Sequence, residues 1–229
     1  MKKITIALDG FSSTGKSTLA KQIAKELGYV YVDTGAMYRG ITYYAMQHQL
    51  VSEQYLDKEG LIAQLPQIKL QFKFNPTLGF AEMYVNEINV EQAIRTIEVS
   101  RLVSKIAEIS EVRAKLVEQQ QQMGKDKGIV MDGRDIGTIV FPDAELKIFM
   151  TASAKTRALR RYDELIEKGQ QVSFEEVLQN VEERDYIDTH RADSPLVKAY
   201  DAIELDNSVM TKQEQFDVVM DLVQQKLNN

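Results

Sequence analysis

The residues Gly10-Phe11-Ser12-Ser13-Thr14-Gly15-Lys16-Ser17-Thr18 satisfy G-x-x-x-x-G-K-[ST] in full. Glycines at both ends let a backbone wrap a phosphate and turn its N–H groups inward, where a side chain would block the approach. Lys16 offers a mobile positive charge for β- and γ-phosphates, and Ser17 offers a hydroxyl ligand for Mg²⁺. A helix opening at about Lys16 adds its N-terminal partial charge at the same point. The whole stretch, Phe11, Ser12, Ser13, Thr14 and Thr18 included, is therefore expected to bind a nucleoside triphosphate.

Arginines suggest what happens to that triphosphate. Arg157, Arg160 and Arg161 fall at i, i+3 and i+4, one face of a helix. Arg184, Asp188 and Arg191 share a face in the same way if their helix reaches that far, while Arg39 and Arg134 sit just past strand ends. Each has an ordinary reading as surface decoration. Gathered around one phosphate loop, they suit phosphoryl transfer to an acceptor that is itself a phosphate. Such an acceptor oxygen is already anionic, so positioning and charge relief matter more than a strong base. Neither of the two histidines, His48 and His190, stands at a strand end where a base would be poised.

Positioning these groups requires a layered frame. Residues 3–8, 29–32, 129–131, 146–150 and 202–205 read as five strands separated by helical patterns, which predicts a parallel sheet with right-handed crossovers. Ligands in such sheets sit at the carboxyl ends of strands. Between about 60 and 97 the pattern changes to polar–apolar alternation with turns at Asn75–Gly79 and Asn86, as in a small antiparallel sheet. Helical patterns follow from Glu98 to Met123, with the glutamine run 119–122 expected as a solvated helix end. Ser173 with Glu176 predicts a capping box, and Thr211 with Glu214 caps the last helix, which turns Phe216, Val219, Met220, Val223 and Leu227 to the core.

Bulk properties narrow the partners. The chain has 229 residues, 44% of them hydrophobic, enough for one large domain or a domain with an insertion. A net charge of -6 opposes a broad nucleic-acid surface. With no cysteine, disulfides, thiolate metal sites and cysteine nucleophiles are excluded. No run approaches the ~20 apolar residues of a membrane span, and nothing resembles a signal peptide, so a cytosolic protein free of membranes is expected.

With these residues in place, the chain resembles the bacterial cytidylate kinases. The likeness is carried by Asp9–Thr18, by Asp33-Thr34-Gly35-Ala36-Met37-Tyr38-Arg39, by Asp132-Gly133-Arg134-Asp135-Ile136-Gly137-Thr138-Ile139-Val140-Phe141-Pro142, and by Glu183-Arg184-Asp185 with Asp188 and Arg191. It spans nearly the whole length. The resemblance implies an α/β, three-layer P-loop NTPase-like fold: a core of 1–59, 98–152 and 198–229, a monophosphate-binding insertion of about 60–97, and a helical lid of about 153–197. It implies a monomeric enzyme that moves the γ-phosphate of ATP, with Mg²⁺, to CMP or dCMP. Arg39, Arg134 and Arg191 would hold the CMP phosphate, Thr34, Arg113 and Asp135 the cytosine, and Arg184 with Asp188 the ribose. Lys16 and the lid arginines Arg157, Arg160 and Arg161 would be catalytic. A carboxylate at Asp135 suits the cytosine amino group, which uracil lacks. Phe11 stands where the family often has proline, Thr34 where it often has serine, and Ile187 and Thr189 where relatives often carry more charge. A kinase of the same fold with UMP, AMP, dephospho-coenzyme A or shikimate as acceptor, or an ATP-binding switch protein, remains the alternative to be separated.

Overall fold

The computed structural model describes residues 2–228. From the amino end its elements are β1 (Thr5–Gly10), α1 (Lys16–Leu27), β2 (Val30–Asp33), α2 (Thr34–Gln47), α3 (Lys58–Gln64), β3 (Leu70–Asn75), β4 (Phe80–Val85) and β5 (Ile88–Asn89). There follow α4 (Ile97–Ala107), α5 (Ser110–Met123), β6 (Ile129–Gly133), β7 (Leu146–Thr151), α6 (Ala154–Glu167), α7 (Phe174–His190), β8 (Ile203–Asp206) and α8 (Lys212–Asn228). Two compact units emerge: one runs up to Asp33 and resumes at Gln120, the other is Thr34–Gln119.

The first unit is built on a five-stranded parallel sheet in the order β2-β6-β1-β7-β8, as the strand pattern predicts. Every residue of β1 is buried, which explains why it reads as a continuous apolar run and not as an alternation. Ile4, Ile6 and Leu8 pack with Leu19 and Ile23 of α1 and with Val219 and Val223 of α8. Phe216, Met220 and Leu227 lie against the same cluster, so α8 presents the face its periodicity predicts. Both expected caps form: Ser173 and Glu176 make a reciprocal capping box, and Thr211 N–H donates to Glu214 Oε2 at 2.7 Å while Glu214 N–H donates to Thr211 Oγ1 at 3.2 Å. Because the next strand in sequence goes to one side of β1 and a later one to the other, the sheet reverses its winding at β1. Ligands collect at the carboxyl end of such a strand.

The second unit holds the antiparallel sheet β3-β4-β5, inside the span 60–97 where alternation predicts it. The compact unit itself is wider, because α2 and α4 belong to it as well. Its apolar sheet face comes down on α2 at Gly40, where a Cβ would lie 3.2 Å from Leu70 Cδ2 and Val85 Cγ2. The helical span after Glu98 is two helices broken at Glu108 and Ile109. The glutamine run, expected as a solvated helix end, is partly buried instead: Gln119 Nε2 donates to Leu70 O at 3.0 Å, and Gln120 is buried.

No helix among the described residues is long and apolar enough to cross a membrane. The tightest backbone approach is at Gly10, with φ 141°, where a Cβ would stand 2.1 Å from the carbonyl oxygen of Met150 on β7. Backbone cannot yield as a side-chain tip can. Gly10→Ala is therefore expected to cost about 3 kcal/mol or more in urea unfolding; a loss below about 0.5 kcal/mol would contradict this packing.

Candidate active site

The phosphate loop leaves β1 and enters α1 through a run of unusual dihedrals: Gly10 at φ 141°, Ser13 at 58° and Gly15 at 91°. Ser13 adopts a left-handed conformation that a non-glycine residue rarely takes, and such strain concentrates at ligand sites. Lys16 is buried, with Nζ donating to Phe11 O at 2.5 Å and to Thr14 Oγ1 at 3.3 Å. Burial first, and then the charge of Arg134, pull its ammonium from 10.5 to about 7. Ser12 Oγ is buried with no hydrogen-bond partner among the described residues. A buried hydroxyl left so costs about 1–3 kcal/mol, which a ligand in the loop would relieve.

Carboxylates close the strand ends around Lys16. Ser17 Oγ donates to Asp132 Oδ2 at 2.9 Å, and Tyr31 OH donates to Asp132 Oδ1 at 2.8 Å. Asp132, the penultimate residue of β6, lies opposite Asp33 at the end of β2. Burial, and then the field of Asp33, raise Asp132 to about 6. Asp9, the penultimate residue of β1, grips the loop that follows β6: its oxygens accept from Ile136 N–H at 2.8 Å and Gly137 N–H at 2.7 Å. That loop is a π-helical turn, Ile136–Val140, in which Asp135 O accepts from Val140 N–H at 3.2 Å. Such turns are uncommon and gather at functional sites. Gly137 leaves little room for a side chain there, because a Cβ would meet Lys147 Cδ at 3.1 Å and Asp9 Oδ2 at 3.3 Å. Sequence periodicity gives no sign of this turn, which is too short to repeat.

The turn sets the direction of Arg134 and Asp135. Arg134 Nε donates to Asp188 Oδ2 at 2.8 Å, and Arg191, at the carboxyl cap of α7, has Nη1 3.8 Å from Asp188 Oδ1. Burial would raise Asp188, but Arg134, Arg184 and Arg191 outweigh it and hold its pKa below the ordinary value. Burial and the neighbouring Arg134 bring Arg184 down to about 10, with a further contribution from Arg161. Lys16, Arg134, Arg184 and Arg161 thus act on one another across one region at the end of β1.

The three arginines of α6 share a face as predicted but are tied in different directions. Arg157 is buried, donates to Ser12 O at 3.3 Å and Ala152 O at 2.8 Å, and pairs in bidentate fashion with Asp185 of α7, one bond being 3.0 Å. Arg160 turns its fork onto Asn207, and Arg161 pairs with Glu164 at 2.9 Å. In the second unit Thr34 opens α2, Arg39 Nη1 donates to Ile94 O at 3.3 Å, and buried Arg113 donates to Ala107 O at 3.3 Å with its guanidinium 5.7 Å from the Tyr38 ring. His48 and His190 are stacked on Tyr44 and Tyr186.

Asp9, Asp132 and Asp185 fall within the sequence motifs but receive no role from them, and Asn207 lies outside every motif. A usable signal does exist for three of them. Asp9, Asp132 and Asn207 each stand within one residue of the carboxyl end of a core strand, where this architecture puts ligands.

The donor set suits Mg²⁺. Ser17 Oγ and the Asp132 carboxylate are hard oxygens, and no group of three or more His, Cys, Asp or Glu among the described residues forms a cage. Mg²⁺ is held by few protein ligands together with substrate phosphates and water, which fits this arrangement. Beside Gly15 lies a cavity of about 280 Å³, lined among others by Thr18, Met210 and Lys212.

A phosphate loop after the central strand of a parallel sheet, with guanidinium groups around it, defines a P-loop kinase. Comparison with known proteins narrows the class. The family model for cytidylate kinase matches residues 6–225. The cytidylate kinase of Flavobacterium psychrophilum is 71% identical over 223 residues, 97% of this chain and 99% of that protein. That of Phocaeicola vulgatus is 59% identical over 215 residues, 94% of each. Among solved structures, a gluconokinase from Sinorhizobium meliloti aligns with a TM-score of 0.50 at 13% identity, covering 99% of this chain and 95% of its own. An uncharacterized protein from Eubacterium ventriosum gives 0.51 at 11%, covering 98% and 99%. At such identities they share the fold alone. The chain belongs to the cytidylate kinase family.

Burial raises Asp9 from 3.8 to about 6, despite the two N–H groups that it accepts; the charge of Asp135 adds to the rise. Its ionised form is thus disfavoured in the folded chain: the penalty is present above pH 6 and is relieved as pH falls through that value. In Asp9→Asn the penalty is absent at every pH. The stability of the wild type relative to this variant should therefore fall by roughly 1–1.5 kcal/mol between pH 5 and pH 8, and a difference independent of pH would contradict the assignment.

Proposed function

We propose that this chain transfers the γ-phosphate of ATP to CMP or dCMP, giving ADP and CDP or dCDP. The observation that carries the reading is the mutual placement of Lys16, Arg134 and Arg184. Lys16 is buried, and the half-buried Arg134 and Arg184 bear on it; cations so placed are unfavourable by themselves. They become favourable when two phosphate groups lie among them, one on the donor and one on the acceptor.

In the transfer, an acceptor phosphate oxygen attacks the γ-phosphorus, and the bond to the β,γ-bridging oxygen breaks as ADP leaves. No base needs to remove a proton, since the attacking oxygen of a phosphate is already anionic. Loop N–H groups and Lys16 Nζ bind the donor phosphates, and Lys16 exchanges its contact with Phe11 O for a phosphate oxygen. Mg²⁺, when bound by Ser17 with Asp132 behind it, supplies charge neutralisation on the β- and γ-oxygens. For the acceptor we assign Arg39, Arg134 and Arg191 to the CMP phosphate, Thr34, Arg113 and Asp135 to the cytosine, and Arg184 with Asp188 to the ribose. Segment 153–197 is the lid and 60–97 the monophosphate-binding insertion. Within the lid, Arg157 locks α6 to α7 and to the loop, while Arg161, which bears on Arg184, is the arginine best placed to follow the transferred charge. A monomer working on soluble nucleotides in the cytoplasm completes the reading.

A shared fold with a gluconokinase leaves the acceptor open; family membership supports a cytidine nucleotide. ADP release should be measured with CMP, dCMP, UMP, AMP and shikimate in turn. The expected result is kcat/KM for CMP or dCMP at least about tenfold above the others, and absence of CMP-dependent ADP release would overturn the reading. Asp135→Ala should lower kcat/KM for CMP by on the order of 10²-fold while affecting UMP less; equal losses would remove Asp135 from base recognition.

A further inference from the structure

Asn207 lies one residue beyond β8 and is completely buried. Its Nδ2 donates to Thr14 O in the phosphate loop at 2.6 Å and to Gln215 Oε1 of α8 at 2.8 Å. Its Oδ1 accepts from Arg160 Nη1 at 3.0 Å, and its backbone carbonyl accepts from Arg160 Nη2 at 2.8 Å. Its own N–H donates to Thr151 O at 3.0 Å, at the end of β7. The amide orientation follows from chemistry: a guanidinium can only donate and a carbonyl can only accept, so oxygen must face Arg160 and nitrogen Thr14.

Three of these partners, Thr14, Arg160 and Gln215, line the cavity beside Gly15. Thr14 in turn accepts from Lys16 Nζ through Oγ1. We propose that Asn207 is a positioning residue for the donor nucleotide, fixing Arg160 and the phosphate loop around this cavity so that it is preformed for ATP. The inference rests on the donor half of the reading above. It also gives Arg160 a different task from the one its sequence position suggests, since both ends of its fork are engaged by Asn207.

No smaller or isosteric side chain can do the same. Aspartate keeps an acceptor for Arg160 but presents oxygen to Thr14 O, and alanine loses both. The test compares Asn207→Asp and Asn207→Ala with the wild-type chain, all shown to be folded by circular dichroism. ATP–Mg²⁺ affinity is read by titration calorimetry without CMP, and KM for ATP and for CMP by ADP release. The proposal expects ATP affinity to fall about tenfold or more, with KM for CMP changed less than about twofold. It is overturned by unchanged ATP affinity, by equal losses toward both nucleotides in folded protein, or by failure of both variants to fold, which would make Asn207 a core residue alone. A wild type that binds ATP without turning over CMP removes the acceptor assignment, while the calorimetric comparison still decides the role of Asn207. A wild type that binds no ATP overturns both.

Discussion

Like charges held close together in a site shielded from water repel strongly, and the first unit is arranged around one such group. Arg134 and Arg184 lower the affinity of Lys16 for its proton beyond what burial does alone, and Arg134 does the same to Arg184, while Asp188 raises that of Arg134 itself. Asp188 offsets Arg134, Arg191 flanks that pair, and Asp132 lies within reach of Lys16. The carboxylates make the cluster tolerable without quenching it. What remains is a preorganised field that costs stability in the free protein and repays it when phosphates arrive.

Holding that field in place is the work of backbone more than of side-chain packing. The sheet reverses its winding at β1, so the phosphate loop and the strand ends beside it open on the same edge. Asp9 couples the two sides, since it precedes the loop directly and accepts from the π-helical turn after Arg134 and Asp135. A shift in either segment reaches the other through two hydrogen bonds inside the core. Arg157 plays a similar part further out, because it joins Ser12 of the loop to Asp185 of α7.

Much of this was legible from residues alone, for identifiable reasons. β1 is buried on both faces and short, so its apolar run has one reading; α8 shows its face through Val219 and Val223 at helical spacing. The phosphate loop and the arginines are recognisable because their chemistry is local or because it repeats with helix period. The π-helical turn is neither periodic nor capped, and Asp9 bonds to residues more than a hundred positions away. Asn207 has only its place past β8 as a signal until Thr14, Thr151, Arg160 and Gln215 are brought around it by the fold. The directions taken by Arg157, Arg160 and Arg161 were likewise hidden: one shared helix face does not say which neighbour each long side chain will find.

The central claim is that anions at this cluster relieve a repulsion built into the free protein. Urea unfolding of the wild-type chain with ATP–Mg²⁺ alone, with CMP alone and with both tests it most directly. Each nucleotide should raise the midpoint by itself, and the pair should raise it further, because each neutralises a different part of the cluster. A midpoint unmoved by CMP at millimolar concentration would contradict the account.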